Sequence, residues 1–164
     1  MRIALMGMGR LGRSLSIYMR DNPALEALPW RRGEPIPTDV DLFWICVPDH
    51  AIAEVSAQIP AGEIVLHASG VQDLEVLRPH SPAGSLHPLQ SFPGPEVALP
   101  DPRGLPAAIA GDGPALLAAE RVAKSLGFET FEVSGDRTAY HAAAVIAGNF
   151  GTALLAEAAR LMQH

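Results

Sequence analysis

The first twenty residues, MRIALMGMGRLGRSLSIYMR, limit what this chain can fold into more than any other stretch. Ile3, Ala4, Leu5 and Met6 are continuously apolar, as expected of a strand buried on both faces of a parallel sheet. Gly7-x-Gly9-x-x-Gly12 follows at once. The first glycine permits a tight turn, the second lets backbone approach a pyrophosphate, and the third lets the next helix pack closely on the sheet. Leu11, Leu15 and Tyr18 then recur at helical spacing, so a helix starts inside the loop and aims its electropositive end at bound phosphates. Strand, loop and helix in this order imply a dinucleotide site, with Gly7, Met8, Gly9, Arg10, Leu11 and Gly12 against the cofactor.

Composition narrows the class. A chain of 164 residues, 48% apolar and 18% charged, can bury one ordinary core. Its net charge of −6 offers no basic stripe for a polyanion, so nucleic acid is not an expected partner. The single cysteine, Cys46, excludes an internal disulfide and a cysteine-based zinc cluster, and lies in an apolar run where a structural role is expected. The six histidines lack ligand spacing with carboxylates, so no metal site is predicted. No signal peptide and no uninterrupted apolar run of ~18 residues is evident, so a cytoplasmic location without a membrane span is the expectation.

Ala24 to Trp30 is the place for a second strand, and Pro29 inside it suits a strand end or a sheet edge. An acidic residue about 20 residues past the glycines would bond the adenosine ribose of an unphosphorylated cofactor. Here the strand ends in Trp30-Arg31-Arg32, and a guanidinium fork suits a 2′-phosphate, so NADP (NADPH) is the expected cofactor. Arg31 and Arg32 are not distinguishable for this role.

Leu42 to Val47 is the strongest strand signal, stopped by Pro48. The turn beyond it runs beside the cofactor, making Val47, Pro48 and Asp49 secondary contacts, with helix capping an equal reading for Asp49. Glu63 to Ala68 and Gly84 to Pro88 are further strands, placing Ser69 and His87 at carboxyl ends, the edge where open α/β sheets bind ligands. His67 shares the face of Ser69 and reads as a core histidine. Gln90 to Gly104 is a proline-rich flap. Leu105 to Ala110 is a strand, Pro114 to Leu126 a helix and Phe128 to Val133 a last strand.

From Asp136 to Met162 there is no proline, and one long alanine-rich helix is predicted. It is apolar nearly all round, which calls for burial on several sides. Ala144, Gly148 and Thr152 would admit a second helix closely, so a homodimer through this C-terminal helix is expected, unless the chain is cut from a longer protein. The expected fold class is α/β, a Rossmann-type doubly wound, mainly parallel sheet over residues 1–135, followed by the long helix of residues 136–164.

IALMGMGRLG, WICVPDHAI, VLHASG, GSLHPLQSF and YHAAAVIAGNF together closely resemble the NADP-dependent oxidoreductases that join a Rossmann-like domain to a helical domain of unknown function. More distantly the chain is similar to pyrroline-5-carboxylate reductases, prephenate dehydrogenases and 6-phosphogluconate-type dehydrogenases. The resemblance implies a cleft between the two parts, a small-molecule substrate held partly by the helix, and dimer formation. Members of the family carry several further helices, so it also implies that this chain supplies only the first. By the same resemblance Ser69 and His87-Pro88 match a serine and a His-Pro motif that contact substrate in prephenate dehydrogenases. Asn149 matches an asparagine that contacts substrate in the 6-phosphogluconate-type relatives.

Hydride transfer to or from a carbonyl, imine or alcohol carbon needs a proton donor or acceptor at the heteroatom, and histidine titrates near neutrality. His87 is the candidate acid/base and Ser69 its hydrogen-bond partner, although Ser69 could equally cap a turn. His141 and Asn149 are polar groups on an otherwise apolar helix, within ~80° of one another around its axis, and are candidate substrate contacts. The alternative is a regulatory module that holds NADP without turnover.

Overall fold

The computed structural model describes residues 1–94, 97–133 and 135–162. Its frame is a seven-stranded sheet in the order β2-β1-β3-β4-β5-β6-β7. The strands are β1 (Arg2–Met6), β2 (Glu26–Trp30), β3 (Leu42–Ile45), β4 (Val65–His67), β5 (Ala83–Pro88), β6 (Pro106–Gly111) and β7 (Glu129–Glu132). All neighbours pair in parallel except β5 and β6. The chain runs outward from β1 to β2 and then returns past it to β3, so the sheet reverses winding between β1 and β3. That reversal opens a crevice at the carboxyl ends of these two strands.

Alternation along the strands divides the core in two. Ile3 and Leu5 of β1, with Leu42 and Trp44 of β3, face a cluster completed by Leu15 and Met19 of α1 (Arg10–Arg20) and Ala115, Ala119 and Val122 of α3 (Gly113–Leu126). Ala4, Met6, Phe43 and Ile45 face the opposite cluster, with Trp30 and with Ile52 and Val55 of α2 (Ile52–Ser56). Both faces are therefore dry, as the continuous apolar runs of β1 and β3 require. β2 is an edge strand in which Pro29 stands opposite Leu5, so Pro29 leaves no interior ladder position short of a donor.

One local expectation is corrected. Asp49 opens a short 3₁₀ turn, Asp49–Ala51, ahead of α2, and its side chain makes no capping hydrogen bond. α4 (Arg137–Val145), a π turn (Ile146–Phe150) and α5 (Gly151–Leu161) form one continuous helix, none of whose residues is buried within this chain. Asp136 caps it by accepting the Thr138 amide. Arg137 and Tyr140 in its first turns meet the ends of β4 and β5, and Asn149 meets Ser91. By length and composition alone the helix could cross a membrane.

Candidate functional site

The crevice is built on two close approaches. Gly7 has φ +116°, and a Cβ there would lie 2.6 Å from Val47 Cγ1, so the β1 turn is pressed against the end of β3. A Cβ on Gly12 would overlap the Gly7 carbonyl oxygen, so α1 also packs directly on the loop. By contrast nothing lies within 4 Å of a Cβ position on Gly9, which leaves that face of the loop open to a ligand. α1 starts there without a side-chain cap and without an acidic residue in its first turn. Its leading amides, with Arg10 and Arg13 beside them, make an electropositive cradle.

Two cavities meet over this cradle. The larger, about 590 Å³, runs from Gly9, Arg10 and Leu11 past the ends of β3, β4 and β5 at Val47, Pro48, Ala68, His87 and Pro88. Gln90, Ser91 and Phe92 of the flap and Asn149 of the π turn close its far side. The smaller, about 350 Å³, is lined by Gly7, Met8, Gly9, Arg13, Trp30, Arg31, Arg32 and the same Val47 and Pro48. Gly9, Cys46, Val47 and Pro48 belong to both, so the two form one groove across the reversal point of the sheet. Asp49 is exposed and lines neither cavity.

At the narrower end the Arg31-Arg32 turn is held from below. Trp30 Nε1 donates to the Glu34 carbonyl at 2.9 Å, and the Arg31 amide donates to Glu34 Oε2 at 2.8 Å. The Arg32 guanidinium lies 3.0 Å from Glu54, both side chains well exposed. Such a surface pair is worth about 1 kcal/mol or less, so it yields readily to a stronger anion.

At the wider end the histidines gather. His87 Nδ1 is 3.1 Å from the Tyr140 hydroxyl, and the His87 and His141 rings are 5.7 Å apart. Gly70 makes this possible: a Cβ there would sit 2.6 Å from His87 Cε1 and overlap His141 Nδ1. Arg137 Nη2 donates to the Ser69 carbonyl at 3.3 Å and to Ser85 Oγ at 3.4 Å, tying α4 to the ends of β4 and β5. Its Nε and His141 Nδ1 are buried and without a partner among the described residues. Burial, then His141 and Arg137, lower the His87 pKa to about 4, with Asp49 opposing weakly. The ring is thus neutral at pH 7. Burial likewise pushes the Tyr140 hydroxyl up, with Arg137 opposing.

Ser69 Oγ accepts the amides of Val71 and Gln72, so it organises the turn after β4, and the hydrogen-bond partner of His87 is Tyr140. His67 is fully buried. Its Nδ1 accepts the Ser69 amide at 3.2 Å, and its Nε2 has no partner among the described residues. On the long helix, His141 packs behind the cavity wall and Asn149 reaches the cavity itself, where its Oδ1 accepts Ser91 Oγ at 2.9 Å. The intervening π turn winds more slowly than an α-helix, which carries Asn149 round toward the face of His141. The flap is further held by Tyr18, which donates to the Pro100 carbonyl and meets Phe92 edge-on at 6.4 Å. Tyr140 and Arg137 are the residues sequence reasoning missed. The signal for them was their place one and four residues before His141, on the turn that meets the sheet.

Comparison with known proteins agrees with this architecture. Residues 105–164 match the domain of unknown function DUF2520. No curated protein matches the sequence. A candidate NADP oxidoreductase from Bacteroides fragilis superposes with a TM-score of 0.75 at 21% identity, covering 99% of this chain and 72% of that one. Prephenate dehydrogenase from A. aeolicus, solved with hydroxyphenyl propionate and NAD+, gives 0.65 at 14% identity over 81% of this chain and 59% of that one. An imine reductase from Streptomyces aurantiacus gives 0.62 at 16% identity over 95% of this chain and 64% of that one.

The buried histidines make stability depend on pH. His67 has its pKa lowered to about 4, by burial first and then by Arg137. The unfolded chain takes up that proton near pH 6.5, so stability is full above 6.5 and falls as pH drops toward 4. The loss from His67 reaches up to about 3 kcal/mol. Urea melts at pH 7 and pH 4.5 should show it, and His67→Gln should remove roughly half of the difference, His87 with its similarly lowered pKa supplying the rest; an unchanged slope in the variant would place the acid lability elsewhere. At these identities the similarity establishes a Rossmann-type α/β fold for this chain, with the DUF2520 match confined to residues 105–164.

Proposed function

We propose that the chain is an NADP-dependent oxidoreductase acting on a small molecule that carries a carbonyl, imine or alcohol group. The observation that carries this reading is the single groove formed by the two cavities, with an open glycine loop at its middle, arginines at one end and a histidine at the other. The donor set suits a phosphorylated dinucleotide. Gly7, Met8, Gly9, Arg10, Leu11 and Gly12 supply amides and space for the pyrophosphate, Val47 and Pro48 the wall beside it, and Arg31 or Arg32 a partner for a 2′-phosphate. When bound, such a cofactor supplies or accepts a hydride at its nicotinamide ring. Ala68, Pro88 and Phe92 give that end of the cavity an apolar wall. Neutral His87 faces the same cavity and there holds the substrate heteroatom or exchanges a proton with it. Asn149 and Ser91, already bonded across the mouth, offer the remaining polar contacts to substrate.

Several neighbours of this fold are described as oxidoreductases that use NADP or NAD, which favours catalysis over a purely regulatory module. The cofactor assignment has a direct test. A charge-assisted fork to phosphate is worth ~1.5–3 kcal/mol, so NADPH should bind about 10- to 100-fold tighter than NADH by calorimetry. Arg31→Ala with Arg32→Ala should erase the ratio; equal affinities in the unaltered protein would refute the arginine assignment.

We further propose that the long helix is a homodimer interface. Ile146, Phe150, Leu154, Leu155 and Met162 are 55–87% exposed, and burying side chains of this size is worth ~1.5–3 kcal/mol each. Sedimentation at micromolar concentration should show a dimer, and Leu154→Glu with Leu155→Glu should weaken it about 100-fold or more. A monomer of the unaltered chain would sink the interface.

A further inference from the structure

His87 and Tyr140 meet through one hydrogen bond whose direction determines what the cavity offers a substrate. We propose that Tyr140 is the positioning residue of the site: its hydroxyl donates to His87 Nδ1, fixing the ring as the Nε2–H tautomer, so that the cavity presents a hydrogen-bond donor. This rests on the assignment of His87 to the substrate end of the groove.

The geometry points one way. Tyr140 is clamped edge-on between the Phe131 ring of β7 at 6.1 Å and the His87 ring at 6.1 Å. Among the described residues its hydroxyl has no acceptor other than His87 Nδ1. The other polar neighbours repel a proton. The Arg137 guanidinium acts on Tyr140 and carries donors only, so its field turns the hydroxyl oxygen toward itself and the proton away, onto the imidazole. If Nδ1 carried the proton, the hydroxyl hydrogen would have to turn back toward that cation or out to solvent. The other titratable groups around His87 are Arg137 itself, His67, His141, which faces its ring, and Asp49, whose side chain is exposed. None makes a hydrogen bond to Nδ1. Gly70, having no Cβ, leaves the space in which the His87 and His141 rings stand.

The consequence is a substrate class. An Nε2–H aimed into the cavity matches a group with a free lone pair, such as a carbonyl or carboxylate oxygen or a neutral imine nitrogen. It mismatches a protonated amine, which carries donors only and offers that N–H no acceptor. A site arranged this way receives the oxidised, carbonyl-type partner of the reaction better than a cationic one.

Nitrogen-15 labelling of histidine, read by long-range proton–nitrogen correlation at pH 7, reports each tautomer directly. Wild type should show His87 Nδ1 as an unprotonated acceptor and Nε2 as N–H, assigned by its loss in His87→Gln. In Tyr140→Phe, which keeps the ring and its packing, an Nδ1–H form absent from wild type should appear. The His67 signals should stay in place in that variant and so report an intact fold. Nδ1–H in the wild type, or a His87 pattern unmoved in Tyr140→Phe, overturns the proposal. NADPH titrated into the same samples separates the two readings. Binding with the wrong tautomer sinks the role of Tyr140 alone. The right tautomer without NADPH binding sinks the cofactor reading and leaves the positioning intact.

Discussion

The contact on which the groove depends is the one at Gly7, where the turn leaving β1 is pressed against Val47 at the end of β3. A side chain at Gly7 would part the two strand ends, and one at Gly12 would lift α1 off the loop. With both absent, the helix start, the β3 end and the Arg31-Arg32 turn come together around Gly9. A second approach of the same kind, at Gly70, lets two histidines from different elements face each other at the far end. Missing side chains thus set the shape of the groove, and the polar groups occupy what they leave.

Much of this was legible in the residues. β1 and β3 announced themselves as dry central strands because their apolar runs have no polar alternation, and burial on both faces is the physical reason for that pattern. The glycine spacing placed the loop, and of the two places that suit Pro29, a strand end or a sheet edge, β2 takes the edge. His87 was found because a strand ending in His-Pro must deliver its histidine to the carboxyl edge. What could not be read was pairing across long separations. Tyr140 lies fifty-three residues from His87, and nothing in local periodicity brings the two together. Ser69 left two readings open, an orienting hydroxyl or a turn cap, and its oxygen accepting two backbone amides fits the second.

The long helix shows the same limit from the other side. Its apolar circumference called for burial, yet within this chain only its first turns and Asn149 touch the groove. The composition described the needs of the helix and not the surface that meets them. The π turn is a detail of similar kind. No residue in IAGNF announces it, but its slower winding carries Asn149 to the cavity beside Ser91. Helix and flap are thereby joined over the groove by a single polar contact.

The central claim is that one ligand lies along the whole groove, with its base end at the arginines and its reactive end at His87. Nuclear Overhauser contacts between bound NADP+ and the protein test this most directly. The account predicts contacts from the adenine ring to the Arg31 and Arg32 side chains, and from the nicotinamide ring to His87 and Val47 in the same complex. A reversed pattern, with adenine at His87, or contacts confined to one end, would contradict it.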